Sequence, residues 1–266
     1  GGGVGPQTIS LANALPTVTD QITIDGSTQP GIVIDATGVG GTVLLLFGGN
    51  ADGSNLQDFS ISNAQGTALQ LTGVANSAID DLDLSYAGSG AVGIGLRMGA
   101  SDNNMVRNVT ATNRSIGIEL QSVDDNLFEQ NNVSQASSYG IYILGNSDAN
   151  VFQQNDASSS HTGIRSRSTG LNNQFVDNDL SGTVSWGLRI KSDTQFVATG
   201  NDFTDSGAGV RLQSMDGITL STSTTFDIDV SKVTGTGLGL VSVTNSTIDG
   251  LDLSYVGNTA QGTGLS

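Results

Sequence analysis

The chain has 266 residues, no cysteine, nine Lys and Arg against 25 Asp and Glu, and a net charge of −16. Lack of cysteine excludes a disulfide framework and Cys-based metal sites, and the acidic balance disfavours nucleic acid and anionic membrane surfaces as partners. No apolar stretch approaches the roughly 18 residues of a membrane-spanning helix, so no membrane insertion is expected. The 37 glycines and few aromatics are turn chemistry interleaved with short apolar runs.

Residues 1–40 differ from the rest. The opening GGGVGPQTIS has neither a basic start nor an apolar core, so the expectation is a removed signal or a segment of something longer. Residues 8–11 form a short strand pattern, and LANALP reads as one or two helical turns stopped by Pro16. Residues 21–26 alternate and end at a turn, and 32–35 form another strand pattern. This atypical segment is expected to cap the remainder of the chain.

From Gly41 to residue 266 the sequence repeats. An Asn-marked corner recurs as NNVS at 131, NDAS at 155, NDLS at 178 and NDFT at 201. An alternating run recurs with its Gly at 66, 93, 117, 140, 163, 187, 209, 235 and 262, in steps of 22 to 27. Two landmarks keeping one period signal a solenoid. One and three residues after each Gly the chain is mostly apolar, as at Ile118 and Leu120, Ile141 and Ile143, or Leu188 and Ile190. Period-two alternation sends these residues to the core and the ones between them outward. A second strand offers Val106, Phe128, Phe152, Phe175 and Ala198 to the core, and a third offers Ala111, Val133, Ala157, Leu180 and Phe203. The expected fold is therefore all-β: a parallel β-helix of about nine to ten coils, with three short strands per coil.

The corner asparagines have a physical reason. A sharp bend favours a residue tolerant of left-handed backbone geometry, and an amide stacked on an amide can donate to one neighbour and accept from the other. Asn131, Asn155, Asn178 and Asn201 are predicted to form a buried structural ladder. A longer repeat overlies the coils: residues 76–96 return at 245–265, offset by 169, or seven coils, with the superrepeat restarting near Gly235. With no capping sequence after the last coil, end-to-end stacking of the chain with itself is a further expectation.

The coil pattern resembles the right-handed parallel β-helix superfamily (the pectate-lyase-like fold), and GPQTISLANALPTVTDQITIDGSTQPG resembles the opening of β-helix regions in large secreted or surface bacterial proteins. The superfamily includes pectate and alginate lyases, polygalacturonases, uronan epimerases, phage tailspikes and adhesins, and fold alone does not choose among them. The resemblance implies right-handed winding, an extracellular or cell-surface location and, in carbohydrate-active members, a substrate along the outward face of the first strand of each coil.

On that face the second position after each Gly gives Glu119, Tyr142, Arg165, Arg189 and Arg211. The fourth gives Arg97, Gln121, Leu144, Arg167, Lys191 and Gln213, so six of nine basic residues share one face of an acidic chain. Tyr139 and Trp186, each just before its Gly, can flank the strip and stack on sugar rings. The functional reading is a groove for an acidic polysaccharide. The structural one pairs the strip with Asp-rich loops or lays long side chains over apolar surface. For a uronan lyase or epimerase, Arg189, Lys191 or Arg211 is the candidate base and Glu119 the one acid, while a hydrolase needs a carboxylate cluster that is absent from the face. His161 reads as a turn residue. Asp80, Asp81, Asp83, Asp124, Asp125, Asp249 and Asp252 are candidate calcium ligands, but without a calcium-loop motif they read first as turns and solvated surface. No other cofactor is expected. The thin catalytic set favours a non-enzymatic adhesive, stalk, matrix or filament segment, with a polysaccharide-binding or lyase-like β-helix as the alternative.

Overall fold

The computed structural model describes residues 7–29, 31–39, 45–221, 226–230 and 232–249. The returning superrepeat, Asp252 and the last Gly-anchored run lie mostly or wholly outside the described residues. Every strand in it pairs in parallel with its counterpart on the next coil. The first sheet stacks ten strands, including Thr67–Thr72, Ile94–Gly99, Ile116–Gln121, Tyr139–Leu144, Thr162–Ser166, Trp186–Lys191 and Ala208–Asp216. The second stacks nine, among them Met105–Arg107, Leu127–Glu129, Val151–Gln153 and Gln174–Val176. The third side is reduced to a column of single bridges from Ser60 through Asp83, Thr110, Asn132, Asp156 and Asp179 to Asp202. Only at the start does it widen, where Gln7–Ser10, Ile32–Asp35 and Phe59–Ser62 pair.

The alternation places the core as expected. Ile118, Leu120, Ile141, Ile143, Leu188 and Ile190 are buried, as are the second-strand column Val106, Phe128, Phe152, Phe175 and Ala198 and the third-side column Ala111, Val133, Ala157, Leu180 and Phe203. Phe128, Phe152 and Phe175 stack almost flat, with centroids 5.0 and 5.3 Å apart. That spacing is close to the separation of adjacent strands, so identical side chains pack in files. The expected helical turn at LANALP is absent: residues 11–17 are irregular, and the flanking strands already join the sheets of the coils.

The recurrent glycine is set by space. An added Cβ at Gly117 would lie 2.5 Å from Val133 Cβ, at Gly140 2.7 Å from Ala157 Cβ, and at Gly187 2.4 Å from Phe203 Cδ1. The first sheet meets the third side at this corner, and a side chain has no room. The same kink interrupts the alternation, so Tyr139 faces out although Ile141 faces in.

The amide ladder forms. Asn131 Nδ2 donates to Asn155 Oδ1 at 2.9 Å, Asn155 to Asn178 at 2.9 Å and Asn178 to Asn201 at 2.9 Å. Each amide also donates to a backbone carbonyl of the preceding coil, as Asn155 does to Phe128 O at 3.0 Å. The left-handed residue, however, is the one before each rung: Gln130, Gln154, Asp177 and Gly200 carry φ of 55°, 54°, 52° and 66°. The bend frees the rung to point inward, and the rung itself is not the bent residue. A second ladder, unforeseen from the sequence, runs Asn104–Asn126–Asn150–Asn173 and ends on Asp193, with donations of 3.1, 3.0, 3.2 and 2.9 Å.

Candidate functional site: the outward face of the first sheet

The pairing registers put one residue per coil into a single outward column: Gln70, Arg97, Glu119, Tyr142, Arg165, Arg189 and Arg211. Arg97 departs from expectation. Counting from Gly93 places it level with Gln121, but Gly95 is the residue level with Gly117, so Arg97 stands directly opposite Glu119. The offset is two residues, which keeps the outward face and changes only the neighbour.

That neighbour divides the face in two. Arg97 Nη2 lies 2.6 Å from Glu119 Oε1, and Arg97 Nε donates to the same oxygen at 2.7 Å, so the charge at this end is cancelled. Glu119 is held in an ion pair two coils from Arg165, away from the candidate bases.

The other half carries no such compensation. Among the described residues there are two ion pairs, Arg97–Glu119 and Arg107–Asp80, and neither involves Arg165, Arg167, Arg189, Lys191 or Arg211. Arg165 donates to the Tyr139 hydroxyl, and its guanidinium lies 5.3 Å from the Tyr139 ring centroid and 5.7 Å from that of Tyr142. Those two rings stack with centroids 4.5 Å apart. Arg211 sits 5.8 Å from the Trp186 ring centroid, and Arg167 Nη1 reaches the Tyr142 hydroxyl at 3.5 Å. Arg189 Nη2 donates to Gln213 Oε1 at 3.1 Å. Burial, then Arg165 and Arg211 on either side, press the Arg189 pKa below its usual value. The Nε atoms of Arg165 and Arg211 are buried without a hydrogen-bond partner. Rings and amides thus position these cations without neutralising them.

Chemically, the arrangement can hold anionic groups placed along the solenoid axis, with the aromatic rings offering apolar faces beside them. Among the described residues, neither Lys191 nor Arg189 nor Arg211 forms an ion pair with a carboxylate. Lys191 lies in the same face, level with Gln213, and His161 is exposed in a turn.

The acidic residues are occupied otherwise. Asp80 pairs with Arg107, which holds its carboxyl below the usual range. Asp83 Oδ1 accepts from Ser85 N at 2.9 Å and Asp124 Oδ1 from Asp148 N at 2.8 Å. Asp81 and Asp125 occupy left-handed corners. Asp249 ends the strand Thr247–Asp249. Among the described residues, no group of three or more His, Cys, Asp or Glu side chains could hold a metal ion.

Solved structures share the fold. A periplasmic alginate epimerase, AlgG, superposes with a TM-score of 0.50 at 14% identity over 84% of this chain, which spans 56% of the epimerase. Endopolygalacturonase I from Stereum purpureum, solved with two galacturonates, superposes with a TM-score of 0.50 at 17% identity over 93% of each chain. PfbA, a surface adhesin of Streptococcus pneumoniae, aligns at 12% identity over 82% of this chain and 70% of its own, with a TM-score of 0.49. No curated protein matches the sequence at a significant level. The model of the right-handed β-helix region matches residues 10–180. With that match covering more than half of the sequence, and parallel coils stacked throughout the described residues, the chain belongs to the right-handed β-helix family.

Proposed function

We propose that the chain is a non-enzymatic, extracellular or surface β-helix segment that binds an acidic polysaccharide along the outward face of its first sheet. The observation that carries this reading is the in-register column Arg165–Arg189–Arg211, which has no carboxylate partner among the described residues of a protein of net charge −16. Coils lie about 4.8 Å apart, so like charges held at that spacing cost stability unless an anion sits over them. Tyr139, Tyr142 and Trp186 beside the column suit the apolar faces of sugar rings. The relatives named for alginate and galacturonate share the fold at low identity, and here they only suggest which polymers to try first.

A binding role without turnover fits the chemistry of the face. The acid of the arginine column, Glu119, is neutralised by Arg97, and always-charged arginines are poor proton acceptors. The test is calorimetric titration with galacturonate and mannuronate oligomers, with and without calcium. The proteins compared are the chain and the triple variant Arg165→Gln/Arg189→Gln/Arg211→Gln. Binding that weakens with salt, disappears in the variant and leaves the oligomers unchanged is expected. Failure of every anionic glycan to bind, or equal binding by the variant, rejects the reading.

A further inference from the structure

The arginine column covers only the C-terminal part of the face. Three coils before Arg167, at the level of Gly99, the same sheet carries a depression of about 260 Å³ lined by Gln70, Thr72, Arg97, Gly99 and Gln121. Its floor is open because Gly99 has no side chain. Unlike Gly117 or Gly187, Gly99 has no need to be glycine. Its φ lies outside the left-handed region, and an added Cβ would touch only Gln121 O at 3.9 Å, an ordinary contact. The fold would accept a side chain there, so the consequence of the glycine is the open space above it.

The rim of this notch is polar but carries no net charge. Arg97, the one charged side chain of the lining, is paired with Glu119 and still offers guanidinium donors. Gln70 donates from Nε2 to Thr72 Oγ1 at 3.0 Å, which joins an amide and a hydroxyl at the edge of the notch. Gln121 projects into solvent beside them. Amides, a hydroxyl and a neutralised ion pair around a small recess recognise hydroxyl groups and have no preference for an anion.

The geometry points to a second subsite, centred on Gly99, for an uncharged sugar residue of the same polymer whose acidic residues lie over Arg165, Arg189 and Arg211. This assignment rests on the polysaccharide reading and sharpens it: the ligand is a block polymer, neutral at one end of the contact and acidic at the other. The two subsites are three coils apart, roughly 14 Å along the axis. Tyr142 and Tyr139 bridge the interval as a stacking step.

The experiment compares two oligogalacturonates long enough to span both subsites, one fully acidic and one with a terminal block of carboxyls reduced to the neutral hexose. They are titrated against the native chain, Gly99→Gln and the triple arginine variant. Gly99→Gln fills the notch without entering the core, and its melting temperature checks that the fold is kept. The block oligomer is expected to bind the native chain about tenfold more tightly than the fully acidic one. Gly99→Gln is expected to abolish that preference while leaving the fully acidic oligomer's affinity unchanged. Equal affinities for the two oligomers, or a preference that survives in Gly99→Gln, overturn the neutral subsite while the acidic reading stands. Binding of neither oligomer overturns both.

Discussion

Arg165 and Arg189 stand opposite one another on adjacent coils, and Arg189 repeats the relationship with Arg211. Both sides of Arg189 therefore face like charge. Replacing it by Gln, which can still reach Gln213, is expected to stabilise the free protein by about 0.5 kcal/mol at low salt. The gain should shrink in about 0.5 M salt, where screening already weakens the repulsion. Thermal unfolding of both proteins at the two salt concentrations measures it; a destabilised Arg189→Gln at low salt would mean that the column is structurally compensated.

The two sides of the corner at Asn155 and Asp156 should respond differently. Asn155→Ala removes the acceptor for Asn131 Nδ2 at 2.9 Å and for Asn131 N at 3.1 Å, and with it the donation to Phe128 O at 3.0 Å. Buried groups stripped of partners predict a loss of about 3 kcal/mol. Asp156→Ala removes only an outward turn bond to Ser158 N at 2.9 Å, for a loss below about 1 kcal/mol. Denaturant titration of both variants separates a buried ladder from a decorative asparagine column.

Asp193 ends the second ladder, fully buried. Burial raises its carboxyl pKa more than the hydrogen bond from Asn173 lowers it. A carboxyl whose folded pKa is raised favours the fold fully below its unfolded value of 3.8, and that contribution is lost as pH rises through the folded value. Asp193→Asn keeps the acceptor for Asn173 and removes the buried charge. It should stabilise the protein at neutral pH, by about 1 kcal/mol, with the gain vanishing as pH falls toward 3.8. Unfolding curves across that range decide it, and a gain independent of pH would remove ionisation as the cause.

Two glycines on one sheet provide a contrast. Gly187→Ala drives a Cβ to 2.4 Å from Phe203 Cδ1 and should cost about 1–3 kcal/mol. Gly99→Ala meets only an ordinary contact and should stay within about 0.5 kcal/mol of the native chain. Melting temperatures of the two variants are sufficient, and equal losses would contradict the packing account of the repeat.

Much of this architecture is legible because a solenoid writes each structural demand many times. Ile118, Ile141 and Leu188 recur at a fixed step from a glycine, and the four corner asparagines do the same. The features that spacing hides are written less regularly. The second ladder substitutes Asp193 for its last asparagine at a step of 20 after Asn173, which breaks the count. Arg97 aligns by count on the wrong member of the Gly93–Gly95 pair, and spacing alone cannot tell which glycine meets the next coil. Arg114 is entirely buried although it is a lone arginine at a position held in other coils by Ala136, Ser160 and Thr183. Its Nε donates to Leu84 O at 2.7 Å, and burial lowers its pKa to about 10. No periodic signal marks such a residue, because it ties down one irregular loop and not a column.

The files of phenylalanines and amides also determine how the molecule bears load. Among the described residues each strand pairs only with strands of the coils beside it, and the chain runs crosswise to the axis along which those coils stack. Tension applied through the two ends therefore meets one coil at a time, with strand pairs resisting at the outer coils and one amide per ladder added within the coils from Asn104 to Asn201. Coils should peel away singly, each of the 22–27-residue coils releasing on the order of 80 Å of chain, and a pulled molecule would yield as a ratchet of small, even slips.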